Sequence, residues 1–159
     1  MNKYFRMTTM AYLILLGATL GAVLYAGIVV APVTFHSEQW LGSEMLSQFR
    51  EGLIMTQNFV RLSYLVTFTV IAVALYEGYK YKKFERDTIT QIATFFVIAT
   101  GLMFGYYYLP DIITMQMAGE AMTKTEAFVN THKGSEINIK IFAVALLVLI
   151  VRNMQKACK

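Results

Sequence analysis

Long apolar runs separated by short charged segments set the pattern of this chain. From Met7 to Phe35 there are 29 consecutive positions without a charged residue, and from Thr88 to Pro110 there are another 23. Between them a second apolar stretch runs from about Gly52 to Tyr76, interrupted once by Arg61. The fourth, Ile137–Val151, holds 15 residues, or about 22 Å of helix at 1.5 Å per residue. A bilayer core of ~30 Å needs roughly 20 residues, so this last helix must begin earlier, within 128–136. The pattern predicts four membrane-spanning helices, at about 10–35, 54–76, 88–109 and 133–152, in a single domain covering 1–159.

Composition sharpens this. Of 159 residues 57% are apolar and only 15% charged, and mean hydropathy is +0.50. Charged residues make up roughly 25% of an ordinary soluble domain, so a polar surface cannot be built from these. The single cysteine, Cys158, excludes a disulfide scaffold. Lys3 and Arg6 before an apolar run resemble a signal peptide. The run extends well past the usual h-region of about 7–15 residues, however, and a first transmembrane helix is the better reading. The expected fold is an all-α integral membrane four-helix bundle.

Charge orients it. With four spans both termini share one side, which takes nine basic residues and three acidic ones (Glu77, Glu85 and Asp87); the other side takes five and seven. The positive-inside rule places the termini and the loop Glu77–Asp87 in the cytoplasm, of a bacterial inner membrane by expectation. The basic residues flank spans instead of forming one patch, which speaks against nucleic acid as a partner. The expected partners are the lipid bilayer and membrane proteins or further copies of the chain. Tyr106, Tyr107 and Tyr108 at one interface and Tyr76, Tyr79 and Tyr81 at the other fit the depths where amphipathic rings settle.

Helix association in lipid relies on close backbone approach and polar contacts. Gly17 and Gly21, and again Gly101 and Gly105, stand at G-x-x-x-G spacing. Packing within the bundle is the expectation for both pairs, with homodimerisation as the alternative.

Polar residues at membrane depth are candidates for function. Arg61 lies about four residues below the outer edge of span two, and Lys140 about eight below that of span four. His132, Glu136 and Lys140 form an i, i+4, i+8 stripe. His36 and Glu51 come from the first outer segment, which also carries Glu44. A polar cluster near the outer face follows, of Arg61, His132, Ser135, Glu136, Asn138, Lys140, His36 and Glu51. Two readings of it stand: snorkelling and pairing, with Lys140 held by Glu136, or a site for a small ligand or ion. Met115, Met117 and Met122 suggest soft ligands for Cu(I), although methionine also serves as adaptable packing and positions 115 and 117 point apart on a helix. Two histidines are thin support for haem, and no tetrahedral zinc set appears. No nucleophile elbow, P-loop or dinucleotide fingerprint is present. No enzyme and no cofactor is expected. The segment Met115–His132, without proline and rich in Ala, Met, Glu and Lys, reads as mostly helical.

The residues flanking the spans carry a resemblance. Val29-Val30-Ala31-Pro32-Val33-Thr34-Phe35, Pro110, and Phe128-Val129-Asn130-Thr131-His132-Lys133-Gly134-Ser135 followed by Asn138 resemble the transmembrane protein 205-like family, also known as domain of unknown function 4149. The resemblance spans about Tyr12 to Val151. It implies a four-helix membrane bundle, with His132, Ser135 and Asn138 as the pattern positions nearest a site. More loosely the layout is similar to the membrane domain of copper-resistance protein D, whose ligands do not carry over because span one has no histidine inside the membrane. The implied role is that of a non-enzymatic accessory or interaction subunit; small-solute or metal handling by the outer cluster is the alternative.

Overall fold

A helix in lipid must satisfy its backbone internally, and each apolar run does so by extending beyond its apolar limits. The computed structural model describes residues 3–42, 45–83 and 87–157. Glu44, Glu85, Arg86, Cys158 and Lys159, counted above for charge or redox, lie outside them. The four long helices are α1 (Tyr4–Phe35), α3 (Gln48–Lys82), α4 (Thr88–Met117) and α6 (Glu126–Ala157). Two single-turn helices, α2 (Glu38–Leu41) and α5 (Glu120–Thr123), sit in the connections at the end away from the termini. No strand occurs among the described residues.

The helices run up-down-up-down as a ring. α1 packs on α3, α3 on α4, α4 on α6, and α6 closes against α1. Leu16, Val66, Val73, Val97, Phe142, Leu146 and Leu149 are fully enclosed between them. Hydroxyls and amides add cross-links. Thr19 and Thr69 share a hydrogen bond of 2.7 Å between α1 and α3, and Asn138 of α6 donates to the Thr100 carbonyl of α4 at 2.7 Å. Such bonds are worth about 0.6 kcal/mol each in a membrane bundle.

All four helices outlast the sequence reading. Span three does not stop before Pro110: α4 continues to Met117 through a π-helical turn, Phe104–Tyr108. Proline lacks an N–H and its ring clashes with the carbonyl four residues back. The wider turn, closed by Leu109 N–H on the Phe104 carbonyl, makes room for it. Pro32 follows a second π turn, Ala26–Val30, in the same way. Span two likewise runs on from Tyr76 through Lys82, so residues 77–82 are helix and not loop. The segment 115–132 is mostly helical as expected, with breaks after Met117 and Thr123. Gly119 at φ +107° takes the first break, a backbone state that suits glycine.

The two glycine pairs part company. An added Cβ at Gly101 would lie 2.5 Å from Val70 Cγ2 and 3.1 Å from Phe142 Cε2, so side chains of α3 and α6 pack directly on the α4 backbone there. Gly105 has ordinary contacts with Thr67 and Ser63. At Gly17 and Gly21 nothing lies within 4 Å, which corrects the expectation of bundle packing. The inward stripe of α1 is Tyr12, Leu16, Thr19, Val23 and Ala26, and the glycines lie off it.

The terminus-side end carries a buried polar network that counting charges as loop residues missed. The Glu77 carboxylate accepts from the Tyr12 hydroxyl at 3.0 Å and from Asn153 Nδ2 at 2.8 Å. Lys80 Nζ donates to Asn153 Oδ1 at 2.7 Å and lies 3.7 Å from Glu77. Tyr76, assigned to the interface above, stacks on Tyr12 at 4.0 Å between ring centres.

Nearby, Asp87 just before α4 is held by Arg152 at 2.9 Å and Lys156 at 3.3 Å of α6. The Arg152 hydrogen bond, followed by that of Thr90, holds the Asp87 carboxyl well below the usual carboxylate range. A depressed carboxylate contributes stability above its unfolded value of ~4, and that stability is lost as pH falls through the folded value. Asp87→Asn is therefore expected to lower the thermal midpoint at neutral pH. The deficit against wild type should shrink in melting curves taken at progressively more acidic pH.

Candidate functional site

At the end away from the termini the ring opens into a cavity of about 360 Å³ between α3, α4 and α6, capped by α5. Its walls are built by helical periodicity. Phe49, Gly52, Thr56 and Phe59 recur along one face of α3, and Tyr108, Ile112 and Gln116 line up on α4. Phe128, His132, Ser135 and Glu136 of α6 complete the enclosure. Gly134 lets the Tyr108 ring lie directly against α6, where a Cβ would sit 2.9 Å from the ring.

The buried part of the lining is mostly aromatic and aliphatic, and its buried polar residues, Thr56, Gln116 and Ser135, are uncharged. Gln116 is 6% exposed and Thr56 7% exposed, and neither side chain has a hydrogen-bond partner among the described residues. Ser135 is buried too, but donates to the His132 carbonyl at 2.7 Å. Charged side chains stay at the mouth. Glu120 pairs with Lys124 at 2.9 Å, and Glu136 with Lys140 at 3.5 Å. Both pairs are exposed, where an ion pair is worth about 0–1 kcal/mol.

The outer cluster expected from sequence is split. His132, Ser135 and Glu136 line the cavity. Asn138 faces the bundle instead and serves α4. Lys140 lines a separate apolar groove between α4 and α6 and reaches back to Glu136. Arg61 points outward and is exposed. His36 ends α1, with Nδ1 3.0 Å from the Pro32 carbonyl. Glu51 is buried against the Ser37 hydroxyl and N–H, tying the end of α1 to the start of α3. The methionines do not converge on the histidine: Met117 is 84% exposed, Met122 accepts weakly from Thr125, and none of Met115, Met117 and Met122 lines the cavity. Among the described residues no group of three His, Cys, Asp or Glu side chains is placed to hold a metal.

Sequence reasoning missed Thr56 and Gln116, the polar groups that face inward. The signal was present in register. Gln57 and Asn58 are exposed, whereas Thr56 beside them is on the buried face. In Met115-Gln116-Met117 the central residue is the enclosed one.

Four helices long and apolar enough to span a membrane, arranged as an up-down ring with a cavity at one end, make this chain a four-span integral membrane protein. It belongs to the family described as a domain of unknown function (DUF4149), which matches residues 14–121. The match covers α1 from Ile14, α3 and α4 and ends within α5, short of the α6 wall of the cavity. No curated protein and no solved structure is a match.

Proposed function

We propose that this chain is a non-enzymatic membrane protein that binds a small neutral organic molecule in the α3–α4–α6 cavity. The observation that carries this reading is the pair of enclosed, unpartnered side chains, Thr56 and Gln116, facing an aromatic interior. Both open onto the cavity, where a ligand offering a carbonyl or hydroxyl group takes the place of water as their hydrogen-bond partner. The volume falls in the ~300–1,000 Å³ range of small-molecule sites. An uncharged ligand is favoured because the polar groups in the buried part of the cavity, Thr56, Gln116 and Ser135, carry no charge, while the acids at the mouth have lysine partners and Lys133 lies exposed at the rim. Both termini are assigned to the cytoplasm of a bacterial inner membrane on the charge asymmetry, so the cavity faces the opposite side.

Thermal-shift measurements on the purified protein, with a panel of neutral ring carbonyls and phenols beside their charged analogues, test this. A saturable stabilisation by neutral members is expected, lost in Gln116→Leu and weakened in Thr56→Val. A panel that protects nothing, or protection that survives Gln116→Leu, would overturn it.

A second reading, as an accessory subunit, is favoured by the outward Gly17 and Gly21, which leave α1 free for close approach by another helix. Pull-down in mild detergent should then recover a reproducible partner that Gly21→Leu releases. The motif resemblance to transmembrane protein 205-like proteins, through Val29–Phe35 and Phe128–Ser135, is compatible with either reading and adds no chemistry.

A further inference from the structure

At the opposite end from the cavity, a groove of about 1180 Å³ runs between α1 and α3 and is open to the side. Its polarity changes along its length. Lys80, Lys83, Tyr4 and Thr8 line one end, and Leu15, Phe68, Ala72 and Leu75 line the other.

The buried network fixes a common level for these residues, because Tyr12, Glu77 and Asn153 are hydrogen-bonded to one another. Next to Asn153, Arg152 holds Asp87 where α4 leaves the apolar zone. From that level Lys80 and Lys83 stand three and six residues toward the water, about 4–9 Å at 1.5 Å per residue. Thr8 and Tyr4 stand about 6–12 Å out on α1. In the other direction Leu75, Ala72 and Phe68 reach about 3–14 Å into the apolar zone. Hydroxyls and ammonium groups thus occupy headgroup depth, and the apolar floor occupies acyl-chain depth.

Charge selects among lipids. Lys80 is engaged by Glu77 and Asn153. Lys83 is exposed, lies 5.7 Å from the centre of the Tyr79 ring, and meets no carboxylate among the described residues. Among the described residues no acidic side chain lines the groove.

We propose that the α1–α3 groove binds an anionic phospholipid from the leaflet on the terminus side, with its phosphate at Lys83 and an acyl chain along Leu15, Ala72 and Leu75. A free phosphate would not use the apolar half, and a zwitterionic lipid would gain less from Lys83. Basic sites between membrane helices, at this depth, are where anionic headgroups bind.

The test reconstitutes the full chain into vesicles of equal phosphatidylglycerol and phosphatidylcholine, extracts it in mild detergent and counts retained lipids by native mass spectrometry. Preferential retention of phosphatidylglycerol is expected. Lys83→Gln should cut that preference about fivefold, the effect of one basic residue near an anionic surface. Ala72→Phe should displace the retained lipid by filling the floor. Arg50→Gln at the far end should change nothing. Equal retention of both lipids by wild type, or an unchanged preference in Lys83→Gln, overturns the proposal. Retention unaffected by Ala72→Phe also overturns it, because charge alone would then hold the lipid. If Ala72→Phe loses its helical circular dichroism, Lys83→Gln, on an exposed position, decides.

Discussion

Gly101→Leu is expected to prevent formation of the native bundle, whereas Gly17→Leu leaves its stability unchanged. Both glycines stand in G-x-x-x-G pairs inside apolar helices, so composition treats them alike. At Gly101 even a single added carbon would sit 2.5 Å from Val70 and 3.3 Å from Val66. Valine is stiff at χ1, and Val66, Val70 and Phe142 are all buried, so none of them can swing aside. Overpacking of this kind costs about 1–3 kcal/mol and occasionally more. Leucine, which adds three carbons beyond the first, belongs at or above the upper end. The milder Gly101→Ala recovers roughly 1 kcal/mol of helix propensity and should fall in between. At Gly17 and Gly21 the added side chain enters open space. Unfolding in sodium dodecyl sulfate titrations, followed by circular dichroism, measures the series. Equal losses at Gly17 and Gly101 would show that the α3–α4–α6 contact is not as close as described.

Removing one partner of the buried network should be the second large effect. Glu77 and Lys80 are 7% and 5% exposed, and Asn153 is 2% exposed. The Glu77 carboxylate is the acceptor that Tyr12 and Asn153 both address, with Lys80 alongside. Breaking a buried pair from one side costs about 3–5 kcal/mol, while replacing both members by apolar residues of similar size is often neutral. Glu77→Ala is therefore expected to destabilise strongly. The double variant Glu77→Leu, Lys80→Met should recover part of the loss, the remainder reflecting the buried Tyr12 and Asn153 groups that lose their partners. The same detergent titration reads both. A double variant no better than Glu77→Ala would indicate that the network contributes through more than this pair.

These two regions also show how far the sequence could be read. Four apolar runs, their lengths and their order are one-dimensional properties, so the four spans were legible from bilayer thickness and hydropathy. Pro110 misled as a helix end because a π turn two to six residues earlier, at Phe104–Tyr108, absorbs its clash. Tyr76 was placed at the interface on depth, and depth did not reveal that it stacks on Tyr12 of another helix. For the candidate site, the His132–Ser135–Glu136 portion was found from spacing on one helix. Arg61 and Lys140 were added on depth alone, and depth does not say whether a side chain faces lipid or the bundle. Thr56 and Gln116 were passed over for the same reason: Gln57 beside Thr56 is as polar but exposed, Gln116 stands between two methionines, and only rotation about the helix axis shows which residue faces inward.

The sequence by itself determined that the chain crosses a membrane four times as helices, because the bilayer sets a length and a backbone hydrogen-bond requirement that few other patterns meet. Tertiary structure decided which face of each helix looks inward. In lipid the apolar residues of both faces are equally well solvated, so hydropathy carries little rotational information. Facing is set instead by close packing at Gly101 and by pairings across helices, such as Glu77 with Asn153, that no single stretch of sequence contains.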